Sequence, residues 1–251
     1  MNANHHNLAH DRSNKRWRCI ELPTVKYKEV WDLQRQLVAA RREKVIDTDI
    51  ILLLEHFPVF TLGRRGGLNN LRISKAFIES RGIQIIHVER GGDITYHGPG
   101  QLVMYPIIDL RAGRLGVADY VTALEEVMIQ TALDWGIEAG RNPANRGVWV
   151  GNNKLGSVGI AVRRGVSYHG LALNVNTSLE PFSWVHPCGL QGVKVTSMKE
   201  VKGREIDMDD VRGSLLSHVQ EVFSVGLEQC SLKDIYCLIG AEAQPLSEEA
   251  I

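Results

Sequence analysis

The sequence predicts an α+β chain in a two-layer arrangement, a mixed and largely antiparallel sheet flanked by helices. Three observations predict it. Strand-like segments occur in hairpins and meanders as well as between helices. The stretch 147–175 reads as three successive strands joined by short turns. The glycine-rich loop at 90–100 has neither the Gly-x-Gly-x-x-Gly spacing nor the P-loop spacing that would point to a doubly wound parallel sheet.

The 251 residues are 44% hydrophobic, with no internal repeat and no low-complexity linker, so one proper core can form. Lys plus Arg and Asp plus Glu both number 29, which argues against a general nucleic-acid binder. Residues 1–15 are polar, carry His5, His6 and His10, and lack an apolar run. They are expected as a disordered tail rather than a signal peptide. The aliphatic run 50–54 is too short to span a membrane. Cys19, Cys188, Cys230 and Cys237 form no Cys-x-x-Cys pair, which suits free thiols in a cytoplasmic protein. One domain is expected over 16–225, followed by a weakly patterned segment and acidic tail over 226–251.

The elements follow in order. A first strand is expected over 16–21. Tyr27, Val30, Trp31, Leu37 and Val38 fall at helical spacing within an amphipathic helix over 26–44. Strands follow at 49–55 and 59–62, then a basic loop carrying Arg64 and Arg65. Ser74 caps a short helix ending at Gly82, and a strand runs over 83–88. The glycine-rich loop comes next, then a strand at 102–109. Val117, Tyr120, Val121, Leu124, Val127, Met128 and Thr131 mark one face of a helix ending near Gly136. The meander has strands at 147–150, 154–162 and 166–175. Asn152-Asn153 suits the first turn, because asparagine tolerates the left-handed region, and Arg163-Arg164-Gly165 makes the second. A strand is expected over 191–197. Asp207 caps a last long helix with Val211, Leu215, Val219, Val222 and Phe223 inward.

Four stretches could carry chemistry. In the glycine-rich loop, Arg90, Asp93, Thr95, Tyr96 and His97 place donors and acceptors beside glycines that permit close backbone approach. In the strand from Lys154, alternation puts Lys154, Gly156, Val158, Ile160 and Val162 on one face. That lysine either snorkels to the surface or sits in a partly desolvated site. Tyr168-His169-Gly170 again mixes polar side chains with a missing one. Pro187-Cys188-Gly189 puts a cysteine in a turn, where it is either packing or a thiol presented to a ligand. His97, His169 and His186 could approach one site, but their spacings make no metal pattern, so no metal or other cofactor is expected.

Together these motifs resemble the lipoyl(octanoyl) transferases. The resemblance rests on residues 55–64, 90–107, 154–160 and 164–175, Pro-Cys-Gly at 187–189 and Val-Thr-Ser at 195–197, in that order, over roughly 20–220. It implies the fold of biotin and lipoate protein ligase catalytic domains. It implies transfer of an octanoyl or lipoyl group from acyl carrier protein to a lysine of lipoyl domains, those of 2-oxoacid dehydrogenase complexes and of the glycine cleavage H protein. Cys188 would hold the acyl group as a thioester and Lys154 would tune it. Arg90, Gly91, Gly92, Asp93 and Ile94, with Thr95, Tyr96 and His97, would line one side of the acyl pocket. Ser157, Val158 and Gly159, with Gly170, Leu171 and Ala172, would line the other.

The chemistry fits these residues. A cysteine of pKa about 8.5 is mostly protonated at neutral pH, and a neighbouring ammonium favours its thiolate. An acceptor lysine of pKa about 10.4 is neutral in only about one copy in 2,500 at pH 7, so a group must take its proton. Lys154, once deprotonated, is the candidate. Thioester exchange is nearly isoenergetic and thioester to amide is downhill, so no ATP is required. The competing readings are an ATP-dependent lipoate or biotin ligase, a cysteine hydrolase using Cys188 with His169 or His186, and a non-catalytic acyl-carrier or cofactor-binding module in which Cys188 is only packing.

Overall fold

The structure, a computed structural model, describes residues 15–143, 145–185, 194–241 and 246–247. The tail with its three histidines, the segment with His186 and Pro187-Cys188-Gly189, and most of the acidic tail lie outside the described residues.

The main sheet takes β1 (Arg16–Val25), β2 (Ile50–His56), β6 (Gln101–Ile107) and β10 (Val166–Asn174), then β9 (Asn153–Arg163), β8 (Asn145–Val150) and β7 (Gly140–Asn142). At the other end β12 (Gly226–Gln229) pairs parallel with β1. The β1–β2 pair is also parallel, and every pairing from β2 to β7 is antiparallel. A small second sheet holds β3 (Val59–Leu62) between β4 (Gln84–His87) and β5 (Ile94–His97). The architecture is the mixed, mostly antiparallel α+β arrangement expected.

Helices cover the two faces of the large sheet. On one face α3 (Val117–Asp134) and α5 (Met208–Phe223) pack over Ile51, Leu53, Leu102, Met104 and Leu171. Leu124, Val127 and Met128 of α3 are fully buried, each worth about 1.5–3 kcal/mol of transfer free energy. On the other face α1 (Tyr27–Arg42) and α6 (Leu232–Leu238) cover Leu52, Leu54, Val103 and Ile107. The small sheet encloses a third cluster around Phe60, Leu62, Ile94 and Tyr96.

The helix-start signals hold. Ser74 caps α2 (Lys75–Ser80), its Oγ accepting the Phe77 N–H, and Asp207 Oδ1 accepts the Asp209 and Asp210 N–H groups. Arg164 and Gly165 form the two-residue hairpin loop, both left-handed at φ 50° and 91°.

Several expectations are corrected. Val117 is 51% exposed, because it is the first residue of α3 and burial of this helix begins only at Tyr120. The left-handed residue of the β8–β9 turn is Gly151 at φ 55°, and Asn153 already pairs in the strand. The strand expected over 191–197 is described only as β11 (Lys194–Val195), parallel to β9. Residues 94–97, read as loop, form β5, whose Ile-Thr-Tyr-His run suits the ladder with β3. Residues 226–238, placed outside the catalytic domain, supply an edge strand and a helix carrying the buried Ile235 and Tyr236.

The α3–α5 contact carries a titratable tie. His218 Nε2 lies 2.9 Å from Asp134 Oδ2 and Nδ1 lies 3.1 Å from Glu221 Oε2, while Ser214 Oγ also donates to Asp134. Burial disfavours the charged ring, but the two carboxylates outweigh it and raise the His218 pKa above its ordinary value. The charged form is therefore the stabilised one. Its contribution is complete below about pH 6.5 and disappears as pH rises through the raised folded-state value. His218→Gln should lower the melting temperature most at pH 5.5–6 and least above pH 8. A melting-temperature deficit that does not change with pH would show that the tie adds no charge-dependent stability.

Candidate functional site

A pocket opens between β5 with its preceding loop, the β9–β10 hairpin and the start of α1. It brings together nearly all the residues singled out in the sequence. Arg90, Gly91, Gly92, Asp93, Ile94, Thr95 and His97 line one side. Ser157, Val158, Gly159, Gly170, Leu171 and Ala172 line the other, and Lys154 joins them. Tyr96 does not. In β5 the side chains alternate, so His97 turns to the pocket while Tyr96 packs on Phe60 and Phe182, with ring centroids 5.3 and 5.5 Å away.

Lys154 reaches the pocket through an irregularity. Trp149 pairs with Lys154 but Val148 pairs with Gly156, so β9 carries one extra residue, a bulge at Leu155. Leu155 is buried in the α3-side core, and a Cβ on Gly156 would lie 2.6 Å from Met128 Sδ. Both residues thus turn toward α3. Lys154 is released from the face of Gly156, where simple alternation put it, and joins Ser157 and Gly159. Its side chain is buried, with Nζ 3.4 Å from Asn145 Oδ1 and 5.5 Å from the centre of the Trp149 ring.

His169 enters through a second irregularity, one strand over. Ser167 faces α3, its Oγ donating to Tyr120, and alternation would send His169 the same way. Its φ of 55° instead turns the ring to the α1 side, stacked 4.8 Å from Tyr168. Gln34 Oε1 of α1 accepts the His169 N–H at 2.7 Å and so secures this backbone. The next residue has to be glycine, because a Cβ on Gly170 would collide with the Met104 carbonyl.

Behind these residues lies a group the sequence reading did not assign to the site. Tyr27 and Tyr105 line the pocket, and Tyr27 stacks on His97 with centroids 5.7 Å apart. Tyr27 Oη is 3.4 Å from His169 Nδ1, and Tyr105 Oη is 2.9 Å from His56 Nε2. Tyr27 had been read as one apolar position of a helix face. His56 and Tyr105 stood within motifs, but nothing local marked them as facing inward. Burial pushes the pKa of His56 down to about 4, and it also holds His97 and His169 below their ordinary values. Burial raises both tyrosines. At neutral pH these imidazoles and phenols are therefore uncharged, although Arg90 and Glu89 stand beside them.

Arg90 directs its donors at the protein. Nη2 reaches Thr61 O at 2.6 Å and Asp93 O at 2.7 Å, Nη1 reaches Gly91 O, and Nε and Nη2 both donate to Thr61 Oγ1. The guanidinium thus pins the glycine-rich loop to β3. From there a directed chain crosses the site. Thr61 Oγ1, already accepting from Arg90, faces His97 Nε2 at 3.5 Å. His97 Nδ1 meets Gln101 Oε1 at 2.7 Å, Gln101 Nε2 donates to Asn174 Oδ1, and Asn174 Nδ2 donates to Thr196 O. Gln101 Nε2 also donates to Tyr96 O, so Oε1 must accept and His97 must carry its proton on Nδ1.

Thr196 follows β11, where Val195 pairs with Lys154 and the Thr196 N–H bonds the Lys154 carbonyl at 2.9 Å. The chain that leaves Val185 therefore re-enters the described fold beside Lys154. Cys188 and His186 stand between these ends and lie outside the described residues. Among the described residues no three His, Cys, Asp or Glu side chains gather to hold a metal ion, and no helix is long and apolar enough to cross a membrane.

Comparison with known proteins identifies the family. The sequence model of the lipoyl protein ligase A/B catalytic domain matches residues 26–220. An octanoyltransferase of Desulfotalea psychrophila is 49% identical over 206 residues, covering 81% of this chain and 92% of the relative. One from Syntrophobacter fumaroxidans is 46% identical over 220 residues, covering 88% and 96%. Among solved structures, the bipartite lipoate protein ligase of Thermoplasma acidophilum shares the fold at a TM-score of 0.67 and 15% identity, covering 90% of this chain and 91% of that one. With one domain model spanning most of its length and relatives this similar, the chain belongs to the lipoyl protein ligase A/B catalytic-domain family.

Proposed function

We propose that the chain moves an octanoyl group from acyl carrier protein to a lysine of a lipoyl domain, with Cys188 holding the acyl group between the two steps. It is an acyltransferase of protein lipoylation, in keeping with relatives named octanoyltransferase at up to 49% identity. The likeness to the ATP-using ligases is one of fold, at about 15% identity, and does not favour an adenylate mechanism. The acceptors are the lipoyl domains of 2-oxoacid dehydrogenase complexes and the glycine cleavage H protein.

The observation that carries the reading is the return of the chain beside Lys154, which itself lines the pocket. Cys188 is tethered six residues before Lys194, and an extended chain spans at most about 3.5 Å per residue. The other thiols are poor rivals. Burial pushes Cys19 up to about 12 and also raises Cys230, so thiolate is disfavoured at both. Cys237 is exposed on α6, away from the pocket-lining residues.

In the first step the Cys188 thiolate attacks the thioester carbonyl, and the carrier leaves as thiolate and takes a proton from Lys154 Nζ, which is left neutral. In the second, the acceptor amine attacks the acyl-enzyme, Cys188 leaves as thiolate, and Lys154 Nζ takes the proton of the attacking nitrogen. Gly91, Gly92, Ser157 and Gly159 give the chain room between strand and loop.

Intact-mass analysis after mixing with octanoyl carrier protein, without ATP, should show one octanoyl adduct on the Cys188 peptide. Transfer supported by an adduct elsewhere in Cys188→Ala would refute the thioester assignment. Lys154→Ala should slow both half-reactions by about 10²-fold or more while leaving the fold intact. Lys154→Arg keeps the charge but releases its proton poorly, so transfer should suffer more than acylation. Single-turnover rates for the two steps decide this, and unchanged rates in Lys154→Ala would return the lysine to a purely structural part.

Docking of the acidic carrier protein is assigned to the basic surface beside the pocket. Burial and Glu89 raise the Tyr168 pKa, opposed by the nearby charges of Arg163, Arg35 and Arg64, and Tyr168 itself stacks on pocket-lining His169. Arg163→Glu with Arg64→Glu should raise the KM for octanoyl carrier protein and flatten its salt dependence, with little effect on transfer from pre-acylated enzyme. Unchanged KM and salt slope would move the dock elsewhere.

A further inference from the structure

Glu125 of α3 is only 1% exposed, on a helix that also buries Leu124, Val127 and Met128. Taking a carboxylate out of water is costly, and a buried ion pair adds little net stability over apolar residues of similar volume. What such a group can supply is a fixed arrangement of its partners, and those lie in the β7–β8 hairpin. Glu125 Oε1 accepts the Gly147 N–H at 2.7 Å, and Oε2 is 3.3 Å from Arg146 Nη1 and 3.4 Å from Arg141 Nε. The hairpin is irregular here. Arg141 and Asn142 are adjacent in β7, yet they pair with Val148 and Asn145, so Arg146 and Gly147 are two extra residues in β8. This excursion lies against Lys154. A Cβ on Gly147 would stand 2.8 Å from Lys154 Cε and 3.4 Å from Nζ, and Asn145 Oδ1 is 3.4 Å from Nζ.

We propose that Glu125 is a positioning residue for Lys154, fixing the β8 excursion that sets where the lysine nitrogen stands. This rests on the reading of Lys154 as the proton carrier of both steps. Glu125 is not among the residues that line the pocket, so it acts through Gly147 rather than on an acyl group. The excursion departs from the ladder with β7, and a carboxylate that accepts its N–H makes a charge-assisted bond, stronger than a neutral one. The carboxylate is itself held. The helix that carries it is seated in the core, and guanidiniums from β7 and from the excursion meet the same oxygen. Gly147 has a φ of 118°, which side-chain-bearing residues rarely adopt, so its backbone can lie directly on the lysine methylenes. Trp149 Nε1 donates to the Asn145 carbonyl and so ties the two sides of the excursion together. A proton carrier has to meet its partners within hydrogen-bond reach, and a misplacement on the order of 1 Å can cost about 10²-fold in rate.

The test is single-turnover acylation from octanoyl carrier protein and transfer to a lipoyl domain, followed in single and double variants. Glu125→Asp keeps the charge but withdraws it from Gly147 by one methylene. It should slow both steps by about ten-fold while the half-saturating concentration of either substrate holds. Glu125→Gln keeps an oxygen of the same reach and should recover most of that loss. Hydrogen exchange at the Gly147 amide should be faster in Glu125→Asp and slow again in Glu125→Gln. Glu125→Leu, an apolar replacement of similar volume, carries the same expectation as Glu125→Asp and serves if that variant does not fold. The route is decided in the Lys154→Ala background, where adding Glu125→Asp or Glu125→Leu should change the rates by less than about two-fold. The full loss repeated in that background, or parent rates in folded Glu125→Asp or Glu125→Leu, would overturn the proposal. Parent rates in Lys154→Ala alone would instead remove the proton-carrier reading, and the positioning assignment with it.

Discussion

Alternation along a strand is the constraint on which the site depends. On β9 and β10 it would send Lys154 and His169 to the side covered by α3, into a core of leucine, valine and methionine. An unpaired cation there would cost several kcal/mol. Two local departures prevent it. The extra residue at Leu155 reverses the strand once, and the left-handed His169 reverses its neighbour once. Each has support from outside its own strand. Gly156 makes room for Met128 of α3, Gly170 for the Met104 carbonyl of β6, and Gln34 of α1 takes the His169 amide. The surrounding layers thus hold the backbone in conformations that the strands would not adopt alone.

The polar chain from Arg90 to Thr196 follows the same logic at side-chain level. A guanidinium can only donate and a carbonyl can only accept, so the two ends impose one direction on everything between them. His97 consequently has a single tautomer without any charged partner. Desolvation keeps its ring neutral, so the network supplies order rather than charge. That is the property an apolar acyl chain requires of a pocket wall. It also joins the glycine-rich loop to the strand that brings the chain back beside Lys154, so these two regions cannot be repacked independently.

Much of this was legible in the sequence. The three long helices declared themselves by period, the last also by its Asp207 cap, and the Arg164-Gly165 hairpin by its turn chemistry. The motifs around Arg90, Ser157 and Gly170 pointed to one pocket, and the fold brings them together. The rest depended on tertiary context. A bulge leaves no mark in a run such as Lys-Leu-Gly-Ser-Val-Gly, so Lys154 was placed on the wrong face. Tyr27 looked like any aromatic on a helix stripe, although its ring opens onto the site. The segment from 226 onward carried too weak a pattern to show that β1 needed a second neighbour. Tyr96 and His97 were grouped because they adjoin in sequence, and the pleat of β5 separates them.

The parallel pairing of β12 with β1 bears on how the protein is made. Trp17 and Cys19 lie in β1, yet their hydrogen-bonding neighbour, residues 226–229, is synthesised long after them. Until then β1 presents an open edge, the kind of surface that invites pairing with other chains. Closing it joins segments far apart in sequence, a slow event compared with forming the β9–β10 hairpin. During synthesis the pocket residues therefore emerge while the sheet is still unsealed on one side, and aggregation is most dangerous in the interval before β12 arrives.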